Sequence, residues 1–527
     1  MSAERGELPK GWVWTTLGDI QLDLSCSVDP AKSPDDVFEL YSVPGFACNR
    51  PERIQGRSIG SSKRTVEEGC VLLCKINPRI SRVWVVEGPA RCPRIASTEW
   101  IAFYPLAGLH ARYLALYMQR HQFRDHLASN ASGVGGSLMR VKPSTFSSSP
   151  MPLPPLPEQQ RIASRADELL TRLDAGRDDL QSVKARLGKY RASVLKAAVE
   201  GRLTEAWREQ HKGEMEPASV LHARILKQRR TRWEAQQLAE MRARGQTPKD
   251  DSWKANYVEP REPEASALPD LPEGWAWATL DQICAGDRPI SYGVLQPGAE
   301  TPDGTPLVRV CDIQGGTVLV DQLKRIRPDI ASRYPRTRLK GGEVLLTVVG
   351  TIGRSAVAPD ALRGANTARA VSVIESTKLV RARFVEMALR ESGMTARLTG
   401  AAHEVARKTL NLEDVRLACV PLAPLVEQGA VVSQVERHLS IADEVEATID
   451  AQLKRADSLR QSILREAFAG RLVPQDPTDE PADKLLERIK EEKARRQAEV
   501  SVTRSSQPRK TRAPRRRQAD PDQMRLV

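Results

Sequence analysis

The sequence predicts an α+β fold, in which two mixed α/β domains are separated by a long antiparallel coiled coil and the halves form a pseudo-twofold internal repeat. Three observations predict it. A long heptad pattern occurs twice, a tryptophan-containing motif occurs twice, and each motif is followed by a segment with mixed strand and helix signals. The chain of 527 residues is too long for one hydrophobic core, so several folding units are expected.

The heptad pattern is the strongest helical signal. Apolar residues recur in alternating steps of four and three from Ile162 to Ala197, and proline is absent from 158–216. A weaker copy runs from Val431 to Ile463, at an offset of 269 residues (431 − 162). We call the principal positions the predicted seam: Ile162, Leu169, Leu173, Leu180, Leu187, Val194, Val431, Val435, Val445, Ile449, Leu459 and Ile463. Two copies in one chain predict that each helix is the other's partner.

The flanks of the heptads repeat as well. The segment Leu-Pro-Lys-Gly-Trp-Val-Trp at 8–14 returns as Leu-Pro-Glu-Gly-Trp-Ala-Trp at 271–277, and the Glu-Gln pair at 158–159 returns at 427–428. A Gly-Arg-Leu triplet closes both heptad stretches, and a charged helical stretch beginning Glu-Pro-Ala follows each of them. The duplication therefore covers the whole half-chain, including this satellite helix.

Each mixed segment carries its own pattern of short apolar runs, interrupted by glycine and proline. In the first segment we predict strands at 70–75 and 83–87 and a helix at 111–127. In the second we predict strands at 307–310, 343–349 and 370–374, then a helix near 380–398. The order of elements repeats while the residues diverge, which is expected if the frame does one task twice and the inserted domains do two different ones.

These signals divide the chain into seven regions. They are a first mixed domain (1–150), a first helical region (151–215), a charged helix and linker (216–270), a second mixed domain (271–419), a second helical region (420–473), a second charged helix (474–500) and a disordered basic tail (501–527).

Composition narrows the classes of function. The net charge of +13 and the pI of about 9.4 favour a polyanionic partner. There is no apolar run near the length of a membrane-spanning helix and no secretory signal at residues 1–7, so we expect a cytoplasmic protein that does not bind a membrane.

The eight cysteines are scattered along the sequence. The closest pair, Cys70 and Cys74, is interpreted as two buried reduced thiols, with a metal site as the alternative.

Proline runs precede both heptads, at 150–157 and 420–424. A rigid linker with a helix start is one interpretation, and a proline motif that binds a partner is the other.

The predicted seam of 36 residues on the first helix predicts a rod roughly 50–55 Å long. If the mixed domains read DNA from opposite ends of that rod, the two stretches they read lie about one to one and a half turns apart. A coiled coil that only joins domains remains the alternative.

The repeated motifs resemble a known family. The Leu-Pro-x-Gly-Trp-x-Trp segments, the proline run that closes on Gln159 and the segment Ile463-Leu-x-x-Ala-Phe-x-Gly-x-Leu472 are similar to the specificity (S) subunits of type I restriction-modification systems. The glycine-bounded segment 341–353 agrees too. The resemblance covers residues 8–490. The second proline run departs from the family pattern at Ala423 and Val426.

The resemblance implies a subunit that gives a DNA methyltransferase and restriction complex its sequence specificity. Each mixed domain would be a target-recognition domain for one half of a bipartite asymmetric DNA site. The conserved helices would set the spacing between halves and hold two methyltransferase (M) subunits, with motor-nuclease (R) subunits joining for cleavage. It also implies that S-adenosylmethionine, and ATP with Mg²⁺ for restriction, are bound by the partner subunits.

The resemblance further implies that the chain itself is not an enzyme. The sequence agrees, because it has neither an Asn-Pro-Pro-aromatic methylation motif nor a Gly-x-x-x-x-Gly-Lys-Ser/Thr phosphate loop. Two alternatives remain at this point. One is a coiled-coil-braced methyltransferase or nuclease that acts alone, and the other is a coiled-coil interaction protein without DNA binding.

DNA contacts require cations near phosphates, or Arg, Lys, Asn and Gln side chains near base edges. The candidates in the first domain are Arg57, Lys63, Arg64, Lys75, Asn77, Arg79, Arg82, Arg140 and Lys142, with a glycine-rich segment at 133–136. The candidates in the second are Arg309, Arg354, Asn366, Arg369, Arg407 and Lys408. For any single one of them, a solvated surface charge is the competing interpretation.

Overall fold

The computed structural model describes residues 7–104, 106–131, 139–264, 268–286, 288–404 and 408–505. The chain forms two compact units. Unit 1 comprises residues 1–180 and 451–527, and unit 2 comprises residues 181–450. No helix in the described part is both long enough and apolar enough to cross a membrane.

The first mixed domain lies in unit 1. Its strands are β1 (Val13–Thr16), β2 (Ser27–Val28), β3 (Val37–Tyr41), β4 (Glu52–Gln55), β5 (Lys63–Thr65), β6 (Val71–Cys74), β7 (Val83–Val85), β8 (Arg94–Ala96), β9 (Trp100–Phe103) and β10 (Pro150–Leu153). Its helices are α1 (Leu17–Ile20), α2 (Ala111–Met118), α3 (His121–Ser129) and α4 (Pro143–Ser147). They form sheets of order β2-β5-β8-β3-β4, β7-β6-β9 and β1-β10.

Three helices follow: α5 (Leu156–Val199), α6 (Glu205–Gln210) and α7 (Ala218–Ala243). The strands of the second mixed domain, in unit 2, are β11 (Ala276–Thr279), β12 (Ser291–Tyr292), β13 (Thr305–Val308), β14 (Ile313–Gln314), β15 (Thr317–Val318), β16 (Lys324–Ile326), β17 (Val344–Thr347), β18 (Ser355–Val357), β19 (Asn366–Thr367), β20 (Val371–Ile374), β21 (His403–Glu404), β22 (Lys408–Thr409) and β23 (Cys419–Leu422). The remaining helices are α8 (Leu280–Ile283), α9 (Pro328–Ser332), α10 (Ala382–Arg390), α11 (Ser392–Ala401), α12 (Leu412–Leu417), α13 (Leu425–Phe468) and α14 (Ala482–Ser505).

The same strand pairing occurs in both mixed domains. Strand β3 is parallel to β8 and antiparallel to β4, as β13 is parallel to β19 and antiparallel to β16. Strand β6 lies between antiparallel β7 and β9, as β17 lies between antiparallel β18 and β20. The predicted α+β fold with an internal repeat is therefore confirmed.

The central strands are buried on both faces, which explains why they read as continuous apolar runs rather than as alternating ones. In β6, Val71 and Leu73 pack with Tyr113 of α2, while Leu72 packs with Trp84 and Trp100 on the other face. Strand β17 divides its side chains between two cores in the same alternating way.

The repeated tryptophan motif fixes the start of each long helix. In unit 1 the indole N–H of Trp12 donates to Glu158 at 2.9 Å, and in unit 2 Trp275 donates to Glu427 at 2.8 Å. The following glutamine, Gln159 or Gln428, accepts from the backbone N–H at the start of the domain's own helix hairpin. Repetition of these residues is thus explained by repetition of one buried junction.

The satellite helices also pack by the residues that repeat. On α7, Ala218, Leu221 and Ile225 are fully buried in unit 2. On α14, the corresponding residues Ala482, Leu485 and Ile489 are buried in unit 1. Each helix begins with a backbone N–H that donates to the glycine of a tryptophan motif, Gly274 in unit 2 and Gly11 in unit 1.

The two long helices pair in antiparallel fashion within each unit, as predicted. In unit 1, Arg177 binds Asp457 and Arg460 binds Asp174. In unit 2, Lys184 binds Asp450 at 2.6 Å and Arg191 binds Asp443 at 2.6 Å.

The cations Arg177, Lys184 and Arg191 are seven residues apart, and so are their partners Asp443, Asp450 and Asp457. One heptad row therefore carries charges that define the antiparallel register.

The predicted seam needs correction at two positions. Val445 is 38% exposed and Leu459 is 50% exposed. On α13 the buried heptad row is instead Val435, Ala442, Ile449, Ala456 and Ile463. The physical reason is that the neighbouring row is occupied by the ion pairs, so a single apolar row of α13 is covered. On α5, Ile162 and Val194 are buried, while Leu169, Leu173, Leu180 and Leu187 are half-buried.

Three smaller outcomes concern the proline runs, the predicted helices and the cysteines. Residues 150–153 form β10 and are paired with β1, which agrees with a rigid approach to the helix rather than a free proline motif. Each predicted helix at 111–127 and 380–398 is a hairpin of two short helices, α2–α3 and α10–α11. Cys70 and Cys74 are buried, and burial raises the pKa of Cys70 to about 12, so its thiol stays protonated at neutral pH.

Candidate nucleic-acid interface

In the first domain, the structure brings together two of the predicted segments. The backbone N–H of Asn77 donates to the carbonyl of Met139 at 2.8 Å, and Val141 donates to Lys75 at 3.1 Å. An isolated antiparallel bridge joins Ile76 to Arg140. We call Lys75, Asn77, Arg79, Arg140 and Lys142 the first patch. It lies directly after the end of β6.

A turn shapes this patch. Asn77 has φ +50°, a left-handed conformation that asparagine tolerates better than most residues, and its carbonyl accepts from the N–H of Ile80 at 2.9 Å. The turn exposes Arg79 and leaves half of Ile80 open to solvent. Arg82 reaches back toward the carbonyl of Ile76. The presence of asparagine at position 77 is therefore explained in part by the left-handed backbone of this turn.

Glu99 positions the cations of the first patch, although no motif in the sequence pointed to it. Its carboxylate accepts from Arg140 at 2.7 Å and lies 3.7 Å from the Lys75 ammonium. Lys75 also donates to the carbonyl of Thr98 at 2.7 Å. Because Glu99 is far from both cations in sequence, only the fold shows that it positions them.

The loop at 50–64 contributes differently. Arg57 is exposed and lies 3.6 Å from Asp35, while Arg64 binds Asp23 at 2.9 Å. Lys63 is only 9% exposed and donates to the carbonyl and hydroxyl oxygens of Ser61, and burial lowers its pKa. Lys63 is therefore withdrawn as a DNA contact, because its ammonium is held inside the loop.

The second domain forms an equivalent arrangement after β17. The N–H of Gly350 donates to the carbonyl of Lys408 at 3.0 Å, and Val348 both donates to Ala370 and accepts from Leu410. We call Gly350, Arg354, Arg369 and Lys408 the second patch. The residues 133–136 and Arg407, which were also predicted, lie outside the described residues.

Two glycines shape the turn of the second patch. Gly350 and Gly353 both have positive φ, +77° and +90°. A Cβ at Gly353 would lie 2.7 Å from Thr395, whereas a Cβ at Gly350 would meet no atom within 4 Å. Gly350 thus offers open backbone, of the kind that a phosphate can approach closely.

The cations of the second patch point outward. Arg354 is exposed, and its backbone N–H is held by the buried hydroxyl of Thr347 at 2.9 Å. Arg369 and Lys408 are exposed as well.

The other two predicted contacts serve the fold. Asn366 is fully buried, and its amide donates to the carbonyl of Tyr334 at 3.1 Å, so it is withdrawn as a base contact. Arg309 is bound by both carboxylate oxygens of Asp312, at 3.0 and 2.9 Å, and this ion pair raises its pKa. Sequence does not report burial, so it could not show that Asn366 lies inside the domain.

The two patches offer the chemistry of nucleic-acid binding. Both combine guanidinium or ammonium groups with a turn at the end of a buried strand, and the first holds five cations, counting Arg82, against the single carboxylate of Glu99. Among the described residues there is no cluster of three or more His, Cys, Asp or Glu side chains arranged to hold a metal ion.

Comparison with known proteins supplies the family. The chain is similar to the EcoBI type I restriction enzyme specificity subunit of Escherichia coli, with 32% identity over 378 residues that cover 70% of this chain and 69% of that one. It is also similar to the EcoKI specificity subunit of E. coli strain K12, with 24% identity and 72% of each chain covered. A scan against protein-family models found no match.

The fold is shared with a chain of known structure. That chain comes from a study of complex assembly and conformational transition of the type I R-M system, and it superposes with a TM-score of 0.63 at 18% sequence identity, covering 88% of this chain and all of its own. The level of identity and the coverage of the EcoBI subunit decide the matter: the chain belongs to the type I restriction enzyme specificity subunits.

Proposed function

We propose that each mixed domain is a target-recognition domain that reads one half of a bipartite, asymmetric DNA site. The first patch would contact one half and the second patch the other. The single observation that supports this most strongly is that one fold occurs twice and places different cations at the same strand end, Lys75 and Arg140 in one copy and Arg354 and Lys408 in the other. Like scaffolds with unlike contact residues are what an asymmetric site requires.

We also propose that the chain performs no chemistry and acts from the cytoplasm. Two methyltransferase subunits would dock on the conserved helical regions, and motor-nuclease subunits would join for cleavage. S-adenosylmethionine, ATP and Mg²⁺ would then be bound by those partners. The ion-paired row of α5 and α13 would keep the register fixed, and with it the spacing between the two half-sites. Family membership does not favour the alternative of a self-contained nuclease or methyltransferase.

The test is DNA binding by the chain assembled with its methyltransferase. We expect an affinity that falls steeply with salt, because the cations of both patches displace counterions from phosphates. We expect a higher affinity for DNA carrying the split site than for a duplex with either half scrambled. Equal affinity for all duplexes, or a product formed by the chain alone with DNA, Mg²⁺ and methyl donor, would contradict the proposal.

A further inference from the structure

The two tryptophan–glutamate junctions differ in one respect. In unit 2, Glu427 is fully buried and both carboxylate oxygens have partners. Oε2 accepts from Trp275, while Oε1 accepts from the hydroxyl of Thr204 at 2.8 Å and from the guanidinium of Arg208 at 2.9–3.0 Å. The Arg208 guanidinium also lies 5.6 Å from the centre of the Trp275 ring. The junction in unit 2 therefore has an arginine of the chain itself, Arg208, bound to its buried glutamate.

The corresponding junction in unit 1 is incomplete. Glu158 is 2% exposed, and its Oε2 accepts from Trp12 at 2.9 Å. Its Oε1 is buried and has no hydrogen-bond partner among the residues that the structure describes. Burial raises the pKa of Glu158, as expected for a carboxylate that lacks a direct cationic partner. A buried acceptor without a donor is uncommon in native proteins and requires an explanation, such as a bound water, ion or ligand group.

The cause lies in the connecting segments. The segment that connects α5 to α7 has 18 residues (200–217) and includes α6 and Arg208. The segment that connects α13 to α14 has only 13 residues (469–481). Its residue at the position of Thr204, 269 residues later, is Val473. The one cation in this shorter segment, Arg471, is bound to Glu466. Unit 1 therefore lacks both groups that satisfy the carboxylate in unit 2.

A cavity of about 560 Å³ lies at this place in unit 1. Its described lining includes Glu158 and Trp12, the acids Asp476, Asp479 and Asp483, and the cation Lys10. A second cation, Arg161, lies close enough for its charge to act on Glu158. Asp479 is paired with Arg161 at 2.6 Å, and Asp476 accepts from Thr478, so these acids are fixed in place. The cavity combines an orphaned carboxylate oxygen and an indole ring, the same two groups that contact Arg208 in unit 2, with an acidic wall.

We propose that this cavity, which we call the Glu158 pocket, binds the guanidinium group of an arginine side chain presented by a partner protein. Guanidinium suits it better than ammonium, because a planar fork can donate to Oε1 while lying against the Trp12 ring, as Arg208 does at the other junction. That the partner is a methyltransferase subunit rests on the proposed function; the chemistry of the pocket does not.

The pocket is tested by calorimetric titration of the purified full-length chain with N-acetyl-L-argininamide, with the neutral isostere N-acetyl-L-citrullinamide as control ligand. We expect one site per chain for the arginine compound and none for citrulline. Glu158→Gln should remove the site, whereas the matched change Glu427→Gln should leave it. Arg208→Ala should create a second site, because it vacates the equivalent junction. No site on the unmodified chain, or one that persists in Glu158→Gln, would overturn the proposal.

The nature of the occupant is tested on the assembled complex. We expect the arginine compound to lose its site when the methyltransferase binds, and Glu158→Gln to weaken assembly by about tenfold or more while the DNA sequence recognised stays the same. A site that stays open in the complex would overturn the assignment to this partner. Failure of the DNA proposal would show instead as a loss of split-site recognition with argininamide binding intact.

Discussion

The two recognition domains differ where they offer cations to solvent and agree where they join the long helices. The junction residues Trp12 and Glu158 are matched by Trp275 and Glu427, with nearly identical hydrogen bonds. After the central strand, by contrast, the first domain places a left-handed asparagine turn and the second a glycine turn. A duplicated frame thus holds two unlike surfaces, and sequence similarity between the halves marks the frame rather than the reader.

The two patches also show how two domains of the same fold can present different contact surfaces. In the first patch Glu99 gathers Lys75 and Arg140 around one carboxylate, whereas in the second Arg354 is positioned through its backbone by Thr347. Similar strand ends therefore present charges by different means. Two readers built in this way should recognise different base sequences.

The largest effect is expected when one recognition domain is exchanged and the other is kept. Replacing residues 20–150 by the matching segment of another specificity subunit should change one half of the recognised site completely and leave the other half and the spacer unchanged, because the junctions are common to both halves. Methylation-site sequencing measures the outcome. A change in both halves, or in neither, would contradict independent readers.

The next largest effect is expected from single cations of the patches. Arg79→Ala and Arg354→Ala should each weaken binding by about 1–3 kcal/mol if the side chain reads a base, and the loss should be confined to one half-site. If the side chain contacts phosphate, the loss is uniform across sequences and the salt dependence becomes shallower by about one ion.

Buried Lys63 provides the control for these cation variants. Lys63→Met should leave DNA affinity unchanged, since its ammonium is held by Ser61. Fluorescence anisotropy across a salt series distinguishes these results. If Arg79→Ala and Arg354→Ala both bound DNA with wild-type affinity, the two patches would not be the DNA-contacting surfaces.

A smaller effect should follow from the charged row between the long helices. Lys184→Glu removes pairs with Asp450 and Glu446 and adds repulsion, so it should lower the unfolding midpoint by a small amount, because these ion pairs are partly exposed. Asp450→Lys added to that variant should restore much of the loss. Lys189→Glu, at an exposed site on the same helix, is the matched control. Thermal unfolding midpoints compare the four chains, and equal midpoints would show that the row does not fix the register.

A still smaller effect should follow from the titration of Glu158. Because burial raises the pKa of Glu158, the folded chain holds this proton more tightly than the unfolded chain. The contribution to stability is therefore greatest below the unfolded pKa and is lost as pH rises through the folded pKa. Glu158→Gln should remove that decline, so its melting midpoint should gain on the wild type as pH increases from 4 to 8. A difference that stays constant with pH would contradict the orphaned carboxylate.

Much of the fold followed from the sequence because repetition exposes packing. The heptads, the tryptophan motif and the Ala-x-x-Leu-x-x-x-Ile pattern of the satellite helices recur because each packs at an equivalent place in the two halves. The patches followed in part, because Asn77 and Gly350 mark turns and cations next to turns are usually exposed. Lys63 and Asn366 were wrong because a polar side chain can be satisfied internally, and Glu99 was missed because its partners are remote in sequence.

The recognised site can be read directly by methylation-site sequencing of a host genome that carries this chain with its methyltransferase. Two unlike readers on paired helices predict a split site, with two different half-sequences separated by a spacer of fixed length and no sequence preference. A continuous site, or two identical halves arranged as a palindrome, would contradict the account.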